Sequence, residues 1–159
     1  MKVLGVAITC LGLLGSALAA EPPTPFSLLQ AAADPVLATP CPGGGHVTSE
    51  LVNNTHVPSL VDRIETRRCP GVSVQTYISK AASDPSGLSM RLEVTLPNRL
   101  LPGSVNVGQP VNLLLSRVGI PQSTNGGTLV YSDSEGPDTV EFKIANGKIR
   151  SILWCWPID

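Results

Sequence analysis

Two histidines are the side chains best suited to acid–base or metal chemistry, and both fall in the N-terminal third. His46 and Glu50 would share one helical face, and His56 lies close to Asp62 in the chain. Two imidazoles with carboxylates are a minimal set for proton transfer or metal binding. No HExxH or other zinc spacing accompanies them, so exposed polar residues in loops are the expected state. A nucleophilic Ser in a Gly-x-Ser-x-Gly turn is missing, because Gly71-Val72-Ser73-Val74-Gln75 carries only its first half. The Gly43-Gly44-Gly45 run lacks the Lys of a phosphate loop. Asp133, Glu135 and Asp138 share one loop without the spacing of an EF-hand and read as a solvated turn. Arg63, Arg67 and Arg68 read as a solvent-facing basic stripe. No metal and no cofactor are expected.

The thiols are more informative. Met1-Lys2, the apolar run Val3 to Leu14 and Ala17-Leu18-Ala19 read as a secretory signal peptide over 1–19, which would remove Cys10. Export, extracellular or periplasmic in a bacterium, implies an oxidising compartment. It leaves Cys41, Cys69 and Cys155, of which only two can pair within the chain. Cys41–Cys69 is the favoured bridge, because both cysteines precede a proline in turn-rich sequence. Cys155, between the two tryptophans, is then a buried thiol or the link of a disulfide dimer. Asn53-Asn54-Thr55 makes Asn53 a glycosylation acceptor in a eukaryotic secretory route.

The elements that must position these residues are mostly strands. Residues 20–45 form a Pro/Gly-rich lead-in with a short helix after Ser27, stopped by Asp34-Pro35, and 46–159 form a single β-rich domain. The segment Val57 to Arg68 reads as helix, with Val57, Val61 and Ile64 on one face. From Val72 the period becomes two. Leu88, Met90, Leu92, Val94 and Leu96 alternate with polar residues, as in a half-buried antiparallel strand. Val111 to Val118 reads as a more deeply buried strand, and Thr128 to Ser132 as a shorter one. No internal repeat is visible. The fold expected is mainly β: an antiparallel sheet of five or more strands, as a sandwich, barrel or curved sheet, with a short helical N-terminal segment.

Asn146-Gly147 marks a two-residue hairpin turn. Counting outward from Ala145 and Lys148 places Ile144 opposite Ile149, Lys143 opposite Arg150 and Thr139 opposite Trp154. That register puts Trp154 and Trp156 on one face with Lys143 and Arg150, a candidate surface for a protein or carbohydrate partner. The competing expectation is that both indoles pack beneath the N-terminal helix. The stretch Val140-Glu141-Phe142-Lys143-Ile144-Ala145-Asn146-Gly147-Lys148-Ile149 resembles the final hairpin of NTF2-like proteins. That resemblance implies a curved sheet around a pocket, and an isomerase or hydrolase using His46, His56 or Asp62. The long N-terminal helix of that family is missing or broken by Pro35, Pro40 and Pro42.

Composition narrows the function. Charged residues are 14% of the 159, aromatics 4%, and the formal charge is −1. Such a chain does not neutralise a nucleic acid backbone, and beyond the leader no segment is apolar enough to span a membrane. The sequence therefore points to a small secreted β-rich binding or interaction protein without catalysis, such as a surface component, an inhibitor or an effector. The NTF2-like pocket enzyme is the alternative.

Overall fold

The computed structural model describes residues 22–54, 56–83 and 86–158; the signal peptide expected over 1–19, with Cys10, lies outside them. The chain forms α1 (Pro25–Ala38), β1 (His46–Asn53), β2 (Val61–Cys69), β3 (Val72–Ile78) and β4 (Leu88–Val94). There follow α2 (Val111–Val118), β5 (Ser123–Asn125), β6 (Thr128–Ser132), β7 (Thr139–Ala145) and β8 (Lys148–Cys155). All eight strands join one antiparallel sheet in the order β1-β2-β3-β4-β8-β7-β6-β5. The mainly β class read from sequence is thus the one adopted. The order is also a palindrome: each half is a helix followed by a four-stranded meander, and the last strands of the two meanders, β4 and β8, pair at the centre.

Both helices differ from the sequence reading. Thr24 caps α1 by accepting from the Ser27 N–H at 3.1 Å, with Pro25 opening the first turn. The helix then runs through Pro35 to Ala38. Pro35 is tolerated because it lies on the solvent side, as does Ala31, whose carbonyl it leaves unbonded. Residues 111–118, expected to be a strand, are the helix α2. Leu114 and Val118 are its buried residues, one turn apart on a single face, so the governing period is 3.6 and not 2. Gly119, at φ 104°, ends it with its N–H on the Leu115 carbonyl at 3.0 Å. Conversely, Val61 to Cys69 is a strand where a helix was expected. Its neighbours explain this, since β1 and β3 hydrogen-bond to its two edges along its length, and tertiary pairing overrides a weak local preference.

Two bulges set which side chains face inward. In β4, Gln75 pairs with Arg91 but Thr76 pairs with Ser89, leaving Met90 as the extra residue. The five-residue apolar alternation is broken there: Leu92 and Val94 are buried, whereas Leu88 stands opposite Tyr77 and is 60% exposed. In the last hairpin, Asn146 and Gly147 adopt φ 53° and 69°, as the turn requires. Ala145↔Lys148 and Ile144↔Ile149 pair as expected. The next pair is Lys143↔Ser151, with Arg150 bulged, followed by Phe142↔Ile152 and Val140↔Trp154. The expected pairs Lys143↔Arg150 and Thr139↔Trp154 are therefore each corrected by one residue, and Trp154 lies on the inner face with Val140, Phe142 and Ile152.

The core lies between that inner face and α1. Leu29, Ala32, Ala33 and Val36 pack in one cluster with Val72, Val74, Leu92, Val94, Tyr131, Val140, Phe142, Ile152 and Trp154. Leu114 and Val118 of α2 join it, as do Leu101, Val105 and Val107 from the β4–α2 connection.

Candidate functional site

The helices do not cover the sheet evenly. α1 contacts β6 and β7 and meets β8 through the Trp154 indole, so its cover falls on the C-terminal half. The outer strands β1 and β2 contain only two buried residues, Asp62 and Thr66, and both are polar. Neither points to the helix side: pairing puts Asp62, Ile64, Thr66 and Arg68 on the open face, and Val61, Arg63, Glu65 and Arg67 on the face that α1 covers elsewhere. The result is a wing of β1, β2 and the outer part of β3 whose helix-side face has no helix over it among the described residues. Val47, Leu51 and Val61 stand there at 42%, 74% and 46% exposure.

One polar cluster stiffens the wing. The Asp62 carboxylate accepts from the Asn54 amide at 2.7 Å, from the Lys80 backbone N–H at 2.7 Å, and from the Tyr77 hydroxyl. Asn54 in turn accepts the backbone N–H groups of His56 and Val57 at 2.8 and 2.7 Å. The β1–β2 turn is thereby tied to β3 and to the chain beyond it. The Tyr77 hydrogen bond, then that of Lys80, holds the Asp62 carboxyl below its ordinary pKa, while the carboxylate pushes the Tyr77 phenol above its own. A carboxylate so fully used by donors is a brace, with little capacity left for proton transfer.

Where the wing meets the end of α1 there is a groove of about 540 Å³. Val74, Ile78, Leu37 and Ala38 supply its apolar surface, and Arg63, Glu65 and Arg67 its charge, with Thr76 and Ser89 adding hydroxyls. Arg63 Nε and a Glu65 carboxylate oxygen are 3.0 Å apart, which leaves Arg67 as the groove's cation without an ion-pair partner among the described residues. No imidazole or thiol lines it. The arrangement can hold an extended, partly apolar partner segment carrying an acidic or hydrogen-bonding group.

The residues singled out from sequence are scattered. His46 opens β1 and His56 sits in the β1–β2 turn, both exposed. His46 and Glu50 lie on a strand, on one face but about 13 Å apart at the strand rise, so they make no helical pair. Cys41 and Cys69 form the disulfide, Cα to Cα 5.8 Å, which fastens the chain after α1 to the end of β2. Cys155 is half-buried on the open face between Thr139 and Arg91. Burial raises its pKa, and the Arg91 charge partly opposes the rise. Asn53 is exposed at the end of β1, while the Thr55 of its sequon lies outside the described residues. Asp133 and Asp138 close the β6–β7 loop through an N–H to carbonyl bond of 2.9 Å. Among the described residues, no group of three His, Cys, Asp or Glu side chains could hold a metal ion.

Trp154, Trp156, Lys143 and Arg150 do not form one surface. Trp154 is fully buried and Trp156 donates to Gln30 of α1 at 2.8 Å, whereas Lys143 and Arg150 are exposed. The Arg150 bulge is the reason, since it changes the phase of β8 without moving β7. The groove escaped the sequence reading because its three charges share a face only on a strand. The spacing Arg63, Glu65, Arg67 was the available signal.

No helix among the described residues is long and apolar enough to cross a membrane, and an intramolecular disulfide fits a non-cytoplasmic compartment. No family model matches the chain, and no solved structure does. A flagellar P-ring protein of Wigglesworthia glossinidia brevipalpis is 33% identical over 81 residues, which make up 48% of this chain and 22% of that protein. The chain is similar to that relative over about a fifth of the relative's length.

Proposed function

We propose that the chain is an exported, non-catalytic interaction protein of the cell envelope or exterior, which docks a protein partner in the groove between the wing and the end of α1. The observation that carries this reading is the groove itself, where Leu37, Ala38 and Ile78 meet Arg67 beside a sheet half held rigid by the Asp62 cluster. The groove offers apolar contact and one guanidinium without an ion-pair partner among the described residues, a combination that recognises and holds without making bonds. The likeness to a protein named for a ring of the flagellum supports a part in an envelope assembly. A secretory leader over 1–19 and the Cys41–Cys69 bridge agree with export. The test is a photo-crosslinking residue at Arg67, compared with one at Lys143 on the open face, in the cell that produces the protein. An adduct with a different protein at Arg67 alone is expected. No Arg67 adduct, or equal labelling at Lys143, rejects the reading.

A further inference from the structure

The two edges of the sheet are not alike. β5 has three residues, and Pro121 lies just before it, a short and blunted edge of the kind proteins use to prevent sheet growth. β1 has eight residues, with no proline, no lysine and no bulge, and among the described residues it pairs only with β2. Its outer backbone groups face water as a template for another strand. We infer that this edge pairs with the same strand of a second copy, antiparallel and centred on Ser49, to give a dimer with a sheet continuous across both chains.

The sequence of β1, His46-Val47-Thr48-Ser49-Glu50-Leu51-Val52-Asn53, selects that register. A two-fold axis normal to the sheet keeps the helix side of both copies on one side, so the axis must pass midway between the two copies of one residue, and opposed residues share a face. Centring on Glu50 would set two carboxylates against each other, a destabilising pair. Centring on Thr48 would leave Leu51, Val52 and Asn53 unpaired. Centring on Ser49 sets Val47 against Leu51 of the second copy, twice by symmetry, on the helix side. These two apolar side chains are 42% and 74% exposed in the single chain. On the open face, Thr48 meets Glu50 of the second copy, and His46 lies diagonally across from that same carboxylate, within reach of a hydrogen bond. The strand is thus complementary to itself on both faces.

The test uses the full chain with its disulfide intact and with Cys155→Ser to remove the other thiol. In the paired edge, Ser49 faces its own copy with Cα atoms about 4.5–5.5 Å apart, inside the range a disulfide spans. Ser49→Cys is therefore expected to give a covalent dimer on mild oxidation. Thr48→Cys, displaced along the strand to about 8 Å between copies, is expected to give little. Sedimentation equilibrium of the chain with its natural β1 is expected to show a reversible dimer in the micromolar range. Leu51→Lys, at a site 74% exposed in the single chain and with an unchanged circular dichroism spectrum as the control for folding, is expected to weaken it about tenfold, because the lost pair occurs twice. A monomer at every concentration, equal crosslinking at positions 48 and 49, or indifference to Leu51→Lys would overturn the inference. Groove docking is read at Arg67 through adducts with a different protein, so its failure leaves this outcome separate.

Discussion

The indole N–H of Trp154 donates to the backbone carbonyl of Leu29 at 3.0 Å, across 125 residues of sequence. Both residues are fully buried, so this bond and the ring beneath it fix where α1 lies on the sheet. Replacing Trp154 with Phe keeps most of the apolar volume and removes the donor, and is expected to cost about 1–2 kcal/mol. Trp154→Ala adds a large cavity and is expected to cost about 3–5 kcal/mol. Urea unfolding of the two variants measures both, and a Trp154→Phe variant as stable as the natural chain would show that the hydrogen bond contributes nothing separate.

The Cys41–Cys69 bridge closes a loop of 28 residues that contains the whole of β1. Chain entropy assigns such a closure about 3–4 kcal/mol. Cys41→Ser with Cys69→Ser is expected to lower stability by that order. The β1 and β2 amides should lose more hydrogen-exchange protection than those of β6 and β7, which lie in the other half of the sheet.

Asp62 predicts an acid response. Its folded pKa lies below the ordinary 3.8, chiefly through the Tyr77 hydroxyl and then the Lys80 N–H. A group depressed on folding contributes stability that is complete above its unfolded value and is lost as pH falls through the folded one. Thermal melts should therefore decline below about pH 4. Asp62→Asn places an amide donor against Tyr77 and Asn54, so it should be less stable at neutral pH and show a flatter acid slope. An unchanged slope would assign the acid response to other carboxylates.

The Cys155 thiol is raised above its ordinary value of 9.0, mainly by burial, with Arg91 as the leading opposing influence. Because the thiolate is the reactive form, alkylation at pH 8 should run slower in the folded chain than with free cysteine, and urea should remove the difference. Arg91→Ala should slow it further.

Arg150 allows a sharper experiment. Deleting this bulged residue would leave Ile144↔Ile149 and Lys143↔Ser151 as adjacent pairs, and would keep Phe142↔Ile152 and Val140↔Trp154. The shortened chain is expected to fold with Trp154 still buried, as read from its emission maximum. Deleting Lys143 instead would reverse the inward phase of Phe142 and Val140, and should abolish cooperative unfolding. If the Arg150 deletion also fails to fold, the bend introduced by the bulge is itself required.

Much of the C-terminal hairpin was legible because its turn is specified by two adjacent residues, and the innermost two pairs followed. The phase beyond Ile149 was not, although the apolar pattern holds its trace: Ile149 and Ile152 are both buried at an odd spacing. β4 misleads in the opposite way, since an unbroken alternation from Leu88 to Leu96 conceals the bulge at Met90. Of the candidate site, Arg63 and Arg67 share a face on a helix as on a strand and were visible, but Glu65 joins them only on a strand. The paired halves of the sheet leave no sequence repeat, so their palindromic order appears only in the pairing of β4 with β8.

Sequence by itself determined the antiparallel β class and the Asn146-Gly147 turn, because each depends on period or on local residue chemistry; it favoured Cys41 and Cys69 as partners among three possible bridges, and the structure pairs them. Tertiary structure decided which side of each strand is inside and which part of the sheet is covered. Those outcomes depend on bulges that shift phase without changing period, and on where α1 settles against Trp154. The wing is the consequence: a helix held over the C-terminal half cannot also cover β1 and β2, and no local pattern in those strands records its absence.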